Sequence, residues 1–564
     1  MRIIKKKNKK KSNIQGDKFI PVSPKIDENI QMLKNIFKDC SDIVTREFRV
    51  GVEQNHRMYV AYVDGMADRD LIHDHILRPL MLEARLIAPD PGNIKRKVFE
   101  LASEGSMSVS DIKEKDNLDE GVLAILSGDT LMLIDGIPKI LIISSREWPT
   151  RAISEPIGEM TIRGSRQGFV ETFRFNTVLL RREIRDPKLK IRSKQLGERT
   201  KTDLGIAYLE DVVNYRVLEE VEKRLDMIDI DGILESGYIE QLIEDDWFSI
   251  FPQVKYTERP DVVAAAVLEG KVAILIDNTP MALIVPTTLN GLLQSPDDYY
   301  ERWWISTMIR WIRMAGLIIS FLLPGSYIAI ASYHPGIIPT QLALFMAGTR
   351  DTVPFPVYIE AFLMEIIFEL LREAGIRLPG QIGATIGIVG SLIIGQSAVE
   401  AGLVSPIMVI IVSLTAIASF AIPSYNLTIS FRMMRFLAMI ASAVLGLYGL
   451  ILIVILTLAH LATLNSFGVP YLSPAVSSKR SDWKDSFVKA PLPVMKSRPE
   501  GAGIDKKRMD DLRLDQKGQT KNFDTQSGNE SQDIQAKEGV TSRFKTPKKT
   551  VRDQDKGGNH YGQQ

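Results

Sequence analysis

Cysteine is almost absent from this sequence. Cys40 is the only one among 564 residues. A single thiol cannot form a disulfide within the chain, which excludes the disulfide-stabilised secreted scaffolds and fits soluble parts that face a reducing compartment.

Catalytic motifs are lacking as well. The sequence has no GxSxG elbow, no phosphate-binding loop, no GxGxxG after a strand, no HExxH and no CxxC. The pair His73 and His75 would place two imidazoles on different sides of a predicted helix, without a third ligand. We therefore expect no enzyme activity, no cofactor, no metal site and no nucleic-acid partner.

Long apolar runs are missing from the first 300 residues. The N-terminus MRIIKKKNKKKS is basic and is not followed by the apolar core of a signal peptide, so we expect a disordered basic arm over residues 1–25 and a cytoplasmic N-terminal region. We also predict a disordered basic tail over residues 471–564. From Ser477 onward it holds 19 Lys and Arg against 13 Asp and Glu, a net charge of +6. Such ends suit an anionic membrane surface or simple solvation.

An internal repeat organises the N-terminal region. Leu123–Ser144 aligns with Ala265–Pro286 at an offset of 142, so that Asp135 matches Asp277 and Pro138 matches Pro280. In each copy two apolar runs flank a tight-turn dipeptide, Asp-Gly or Asp-Asn, which predicts a β-hairpin. Alternating strand and helix patterns predict an α/β fold for two duplicated subdomains, at residues 26–160 and 191–295.

Between the copies, residues 161–190 are predicted to form a connecting helix that ends before Asp186-Pro187. It is rich in arginine, which is compatible with an anion or headgroup site but favours a solvated, salt-bridged helix.

Residues 296–470 predict an all-α multi-pass transmembrane domain. Four runs have the length and composition of spans, at residues 311–332, 382–403, 404–422 and 436–464. Tryptophans and arginines precede the first run, as at a cytoplasmic membrane interface.

A fifth segment, residues 356–374, predicts an amphipathic helix with an acidic stripe of Glu365, Glu369 and Glu373. Carboxylates facing lipid are costly, so this helix must lie at the interface, pack inside the protein, or face an aqueous path. Without it the count is four spans with both termini inside. If this helix also spans the membrane, the number of spans is five and the C-terminal tail lies outside. The basic charge of the tail favours a location inside, on the cytoplasmic side.

The run at residues 382–403 has two unlike faces. Small residues on one face favour close helix packing: Gly383, Gly387, Gly390 and Gly395. The other face is a candidate pore or gate lining: Ile386, Val389, Ile393 and Gln396. Ordinary packing within one subunit explains the same pattern, and both readings stay open.

Several stretches resemble the A subunits of GerA-type spore germinant receptors. In SEPIGEMTIRGSRQGF the matching positions include Ser154-Glu155-Pro156 and Arg163-Gly164, while Ser165 and Gln167 depart from the pattern. The run PVYIEAFLMEIIFELLREAGIRLP and the stretch FGVPYLSP are similar to the same family. The resemblance covers residues 30–476, and the tail after Ser477 has no comparable signature.

The resemblance implies a multi-pass protein of the spore inner membrane that acts with a transporter-like B subunit and a lipoprotein C subunit. It implies a homo-oligomer in contact with membrane lipids that works as a nutrient-gated ion channel and starts germination. A ring of Glu365 or Glu369 carboxylates would then favour cations. A non-conducting membrane scaffold that couples the sensing subunit to another effector shares every motif and stays open as an alternative.

Overall fold

The fold is described by a computed structural model. It covers residues 19–50, 56–83, 111–147, 155–156, 158–377, 393–475, 482–495, 498 and 503. Two five-stranded sheets organise the N-terminal α/β region. The strand order is β1-β2-β4-β5-β3 in the first and β6-β7-β9-β10-β8 in the second. The strands are β1 Ile43–Val50, β2 His56–Val63, β3 Ile112–Lys115, β4 Thr130–Ile134, β5 Ile140–Ile143, β6 Leu189–Leu196, β7 Thr202–Leu209, β8 Lys255–Thr257, β9 Val272–Ile276 and β10 Ala282–Val285.

Helices cover both faces of each sheet. They are α1 Ile26–Ile36, α2 (Leu71–Leu77, π-helical, continuing as Arg78–Glu83), α3 Leu118–Leu126, α4 Phe173–Glu183, α5 Tyr215–Asp226, α6 Ser236–Ile243 and α7 Pro260–Leu268. In the first sheet, α1 and α3 pack on one face and α2 on the other. Central strands such as β4 are therefore buried at every position and read as unbroken apolar runs rather than as alternation.

The predicted duplication is evident in the fold, because the two sheets share one strand order. Every pairing within them is antiparallel. The alternation of helices and strands in the sequence indicated the layers correctly. It does not determine strand direction, which depends on how each connection returns to the sheet.

Helix α4 is the first helix of the second copy, and its prediction as a connector was wrong. The amide of Ile26 in α1 donates to Asp135 Oδ1 (3.3 Å), and the amide of Phe173 in α4 donates to the matching Asp277 Oδ1 (2.9 Å). The second copy therefore begins near residue 170 instead of 191. Helical periodicity marks a helix but not the sheet on which it packs.

An ion pair joins the two copies. Arg181 of α4 and Asp42 are both fully buried and form a two-pronged contact, Nε to Oδ2 and Nη2 to Oδ1, each 2.9 Å. Removing either partner would leave an uncompensated buried charge, at a cost of about 3–5 kcal/mol. This arginine is thus neither solvated nor available to an anion from outside.

The helical part, called here the bundle, follows two short helices, α8 Leu289–Leu293 and α9 Asp297–Tyr300. Its helices are α10 Trp303–Tyr333, α11 Thr340–Arg350, α12 Val357–Arg377, α13 at residues 393–400, α14 Pro406–Phe420 and α15 Tyr425–Thr463. Within the described residues, α10 and α15 are the two helices long and apolar enough to cross a membrane, and α14 is shorter.

Helix α15 is a helical hairpin and not one straight span. Gly446 has φ +62° and ψ −141°, which interrupts the helix. Ser430 and His460 lie on opposite sides of this turn, yet they contact the adjacent residues Ile250 and Ser249. The two arms, residues 425–445 and 447–463, therefore run antiparallel, and the predicted single span at 436–464 was wrong.

One end of the bundle lies next to the α/β region, and the far end lies at the turn of the α15 hairpin. Contacts between helices show at which of these two ends each helix begins or finishes. At the far end, the Tyr333 hydroxyl donates to the Ala443 carbonyl (2.5 Å) beside the hairpin turn, and Glu360 near the start of α12 accepts from the Ser405 amide (3.0 Å). At the end next to the α/β region, Arg372 of α12 lies over the ring of Phe420, the last residue of α14.

The beginning of the predicted disordered tail is folded. Tyr471 is fully buried, and its carbonyl accepts from the Leu289 amide (2.9 Å). Residues 482–495, called here the C-terminal strap, pack against α9 and α10. Further on, Arg498 Nε donates to the carbonyl of Leu268 (2.7 Å). Basic composition predicted solvation, whereas these residues have specific partners that lie 175 to 230 positions away.

Candidate functional site

The acidic helix α12 packs inside the protein, which was one of its three predicted placements. Glu365 is 2% exposed and pairs with Arg435 of α15. Glu369 accepts from Arg435 Nη2 (3.0 Å) and from Arg432 Nε (3.0 Å). Arg372 lies 3.6 Å from the same carboxylate, so three cations surround two anions, a net charge of +1. Glu373, the third member of the stripe, is exposed.

The candidate pore residues lie partly outside the described residues, which include none of Gly383, Ile386, Gly387, Val389 and Gly390. The others sit on α13. Ile393 and Gln396 are exposed, and Gln396 Nε2 donates to Glu400 Oε1 (2.8 Å). Gly395 is buried where an added Cβ would touch Val409 of α14 at 3.4 Å. Of the two predicted faces only these three positions are described, so the roles of the faces in helix packing and in a pore stay predictions.

Polar contacts connect the α/β region to the bundle at three places in the described part of the chain, and these three places together are called here the junction. The first is at the start of α10. Asp298 of α9 is fully buried and accepts from Arg310 Nε (3.0 Å) and Arg313 Nη1 (2.8 Å). These arginines were predicted to mark a membrane interface by their position. They also fix the angle at which the first long helix leaves α9.

The C-terminal strap closes over the same cluster. Asp485 accepts from Arg310 Nη1 (2.9 Å) and from the Tyr299 hydroxyl (2.8 Å). The Trp311 indole donates to the carbonyl of Phe487 (3.0 Å). A segment that follows the last bundle helix is thereby fastened to the first one.

The second contact is at the end of α15. The amide of Phe467 donates to Asp245 Oδ2 (2.6 Å), and the Ser466 hydroxyl donates to the Gln253 carbonyl (2.7 Å). The guanidinium of Arg224 on α5 lies 4.3 Å from the centre of the Phe467 ring. The residues directly after α15 thus take part in the core of the second sheet.

A cavity of about 500 Å³ lies at the third contact, where residues 420–426, between α14 and α15, meet the α/β region. Lys255 and Glu159 line it. Burial lowers the pKa of Lys255 against the attraction of Glu159, and burial raises the pKa of Glu159 despite the hydrogen bond from Thr257. Next to the cavity, Asn426 Nδ2 donates to Glu240 Oε1 of α6 (3.4 Å). Among the described residues, no three His, Cys, Asp or Glu side chains are grouped as a metal ion would require.

Sequence reasoning missed the strap and the loop before β8. A signal for the loop existed, since Trp247-Phe248 is an aromatic pair inside the acidic stretch EDDWFSIFP. For the strap, Trp483 and Phe487 stand four residues apart and are followed by apolar residues such as Leu492, but no sequence pattern identifies Arg310 as the partner.

The architecture defines a class: an α/β region fastened to helices long enough to cross a membrane. A family model described as Bacillus/Clostridium GerA spore germination protein matches residues 31–501. The chain belongs to this family, which confirms the resemblance and extends it 25 residues beyond residue 476, through the strap.

Relatives match over nearly their whole length. The membrane protein YfkQ of Bacillus subtilis is 44% identical over 85% of this chain and 91% of its own length. Spore germination protein KA of Bacillus subtilis is 41% identical over 87% of this chain and 89% of its own length. The crystal structure of the N-terminal domain of the A subunit of the Bacillus megaterium spore germinant receptor GerK3 is 33% identical, covers 48% of this chain and 97% of that one, and has a TM-score of 0.37.

Proposed function

We propose that this protein is the membrane-spanning A-type subunit of a spore germinant receptor, and that copies of it assemble into a nutrient-gated ion channel that starts germination. The observation that carries the proposal is the junction. Three places on the bundle, the start of α10, the loop before α15 and the end of α15, are hydrogen-bonded to the α/β region or the strap. A change in the α/β region is thereby transmitted to helices of membrane length.

The contacts at the two bundle ends support a membrane topology of six passes. Helices α10, α12 and α14 and the two arms of α15 each run from one end to the other, which gives five passes. Because α12 ends next to the α/β region and α14 begins at the far end, the proposal includes a sixth pass. Six passes place the α/β region and the strap on the same, cytoplasmic, side of the spore inner membrane. The membrane lipids surround the bundle, and a transporter-like B subunit and a lipoprotein C subunit complete the receptor.

We place the gate on the pore face of residues 382–403, with Val389 at an apolar constriction. A smaller side chain there widens the constriction and admits water and ions. Glu365 and Glu369 form a cation-attracting ring only in a state in which their ion pairs with Arg435 and Arg432 are broken. In the paired state the net charge of the cluster is positive.

One observation favours the alternative, a non-conducting scaffold. The charged groups inside the bundle are engaged with one another within a single chain. Such a bundle can move as a unit and act on another effector without conducting ions itself.

A measurement of ion flux distinguishes the ion channel from the non-conducting scaffold. The purified receptor, with its B and C subunits, is reconstituted into potassium-loaded vesicles. We expect nutrient to release potassium from vesicles with the unmodified receptor, and Val389→Ala to release it without nutrient. Val444→Ala, the same change at an exposed position of α15, is the matched control. Assembled receptors that never conduct, in both the unmodified and the Val389→Ala form, would establish the scaffold and exclude the channel.

A further inference from the structure

The loop between α6 and β8, residues 244–254, exposes two large aromatic side chains. Trp247 is 78% exposed and Phe248 is 80% exposed, and their rings meet edge to face with centroids 4.9 Å apart. Large apolar side chains exposed together on a folded loop mark a surface that another apolar phase covers.

The backbone of this loop is fixed, so the exposure is built into the fold. The Asp246 amide donates to Gln253 Oε1 (3.0 Å), and Gln253 Nε2 donates back to the Asp246 carbonyl (2.7 Å). The Phe248 amide donates to Asp246 Oδ1 (3.0 Å). The carboxylates of Asp246 and Glu244 are thus turned toward the backbone of the loop, while the aromatic pair is exposed.

The loop is also attached to both arms of the α15 hairpin. Ser249 Oγ is hydrogen-bonded to His460 Nε2 (2.9 Å), and the Ser430 hydroxyl donates to the Ile250 carbonyl. Phe251 is buried between the rings of Phe431 (5.4 Å) and His460 (5.9 Å). The loop therefore moves with the hairpin as one body.

These attachments set the height of the aromatic pair along the bundle. Ser430 is five residues from the start of α15 and His460 three residues from its end, which at 1.5 Å per residue is about 8 Å and about 5 Å. Exposed apolar side chains such as Met433 and Leu456 continue along the arms from this level. The pair thus lies where the apolar surface of the hairpin begins.

We propose that Trp247 and Phe248 insert into the headgroup and upper acyl region of the lipid bilayer and anchor the second α/β copy to the membrane surface. The inference rests on the proposed membrane crossing of α15. Tryptophan is favoured at this depth because its ring is apolar and its N–H is polar. Because the loop follows α6 directly, its insertion keeps α6 at a constant depth relative to the membrane surface and to the α15 hairpin.

The test uses the full chain reconstituted in vesicles of phosphatidylcholine and phosphatidylglycerol. Cys40 is replaced by Ala, and single cysteines carry a nitroxide whose relaxation by oxygen, enriched in lipid, is compared with that by a water-soluble nickel chelate. We expect Phe248→Cys to have an oxygen-to-nickel ratio severalfold above that of Leu234→Cys, with Trp247→Cys as a second loop site. Leu234 is 66% exposed and precedes Glu235, which is bound to Thr279 in the turn at the other end of β10.

A third site separates the inference from the proposed function. Val444→Cys lies on the exposed face of α15 near the hairpin turn and reports whether the hairpin is in lipid. A lipid signal at Val444 with a water signal at Phe248 would overturn the lipid anchor alone. A label at Phe248 that neither reagent reaches would show a protein partner instead and would overturn it too. A water signal at Val444 would overturn the membrane crossing.

Discussion

Glu240 lies where α6 meets the loop before α15, and its surroundings oppose its ionisation. Burial, and then the nearby carboxylates of Glu244 and Glu235, raise its pKa to about 7, while the hydrogen bond from Asn426 acts in the other direction. One protonatable group is thus placed at the contact between the α/β region and the bundle.

The sign of the effect on stability follows from the raised pKa. In the unfolded chain Glu240 ionises near its ordinary pKa of 4.5, so between that value and about 7 the folded state loses stability as the pH rises. We expect Glu240→Gln to stabilise the protein at pH 8 by on the order of 1–3 kcal/mol and to have little effect at pH 4. Unfolding midpoints of the purified full chain at the two pH values measure this.

Glu219→Gln, at an exposed position of α5, is the matched control. Equal shifts for Glu240→Gln at pH 8 and pH 4 would mean that the substitution acts through packing and not through ionisation.

For single residues, the sequence predicts that the α12 carboxylates avoid lipid, because any charged side chain is unfavourable in the hydrocarbon interior of a membrane. It could not predict their partners. Glu369 meets Arg435, 66 residues away, only because α12 packs against α15. Nothing near either residue encodes that contact.

Among the elements, the α15 hairpin depends on two glycines. At Gly446 the positive φ is one that side chains other than glycine rarely adopt. At Gly449 a Cβ would collide with the carbonyl oxygen of Ala441, because the two arms approach each other directly after the turn. Small residues allow this approach where larger ones would separate the arms.

We expect Gly449→Ala to destabilise the bundle by about 1–3 kcal/mol, because the colliding atom belongs to the backbone and cannot rotate away. The thermal midpoint of the purified chain in detergent measures the effect. Gly348→Ala, in α11, has open space around the added carbon and is the control. Similar midpoints for the two variants would mean that the arms do not approach as described.

The hairpin was predicted as one span because hydropathy does not change across Gly446. The predicted span of 29 residues could cross with tilt, and only the observed length of α15 excludes one straight span. A straight helix of 39 residues is about 58 Å long, nearly twice the hydrocarbon thickness of about 30 Å. Likewise, the strong helical period of α4 predicted the helix correctly but left open which sheet it covers.

For the whole molecule, the number of passes decides on which side each end lies. The sequence predicted four or five membrane spans, because the placement of α12 was ambiguous and the hairpin was taken as one helix. In the proposed topology of six passes the number is even, and the strap lies on the side of the membrane where it can reach Arg310 at the start of α10. The ion pair and the even count support each other, since an odd count would place the strap across the membrane from its partner.

Labelling by a membrane-impermeant thiol reagent tests this arrangement in intact cells that express the full chain with Cys40→Ala. Thr352→Cys, in the exposed turn before α12, lies at the far end of the bundle, and we expect it to react from outside. Leu492→Cys in the strap and Leu234→Cys in the α/β region are also exposed, and we expect both to react only after the membrane is permeabilised. If Leu492→Cys reacted in intact cells while Leu234→Cys did not, the number of passes would be odd and the strap could not bind α10. If all three reacted alike only after permeabilisation, the bundle would not cross the membrane.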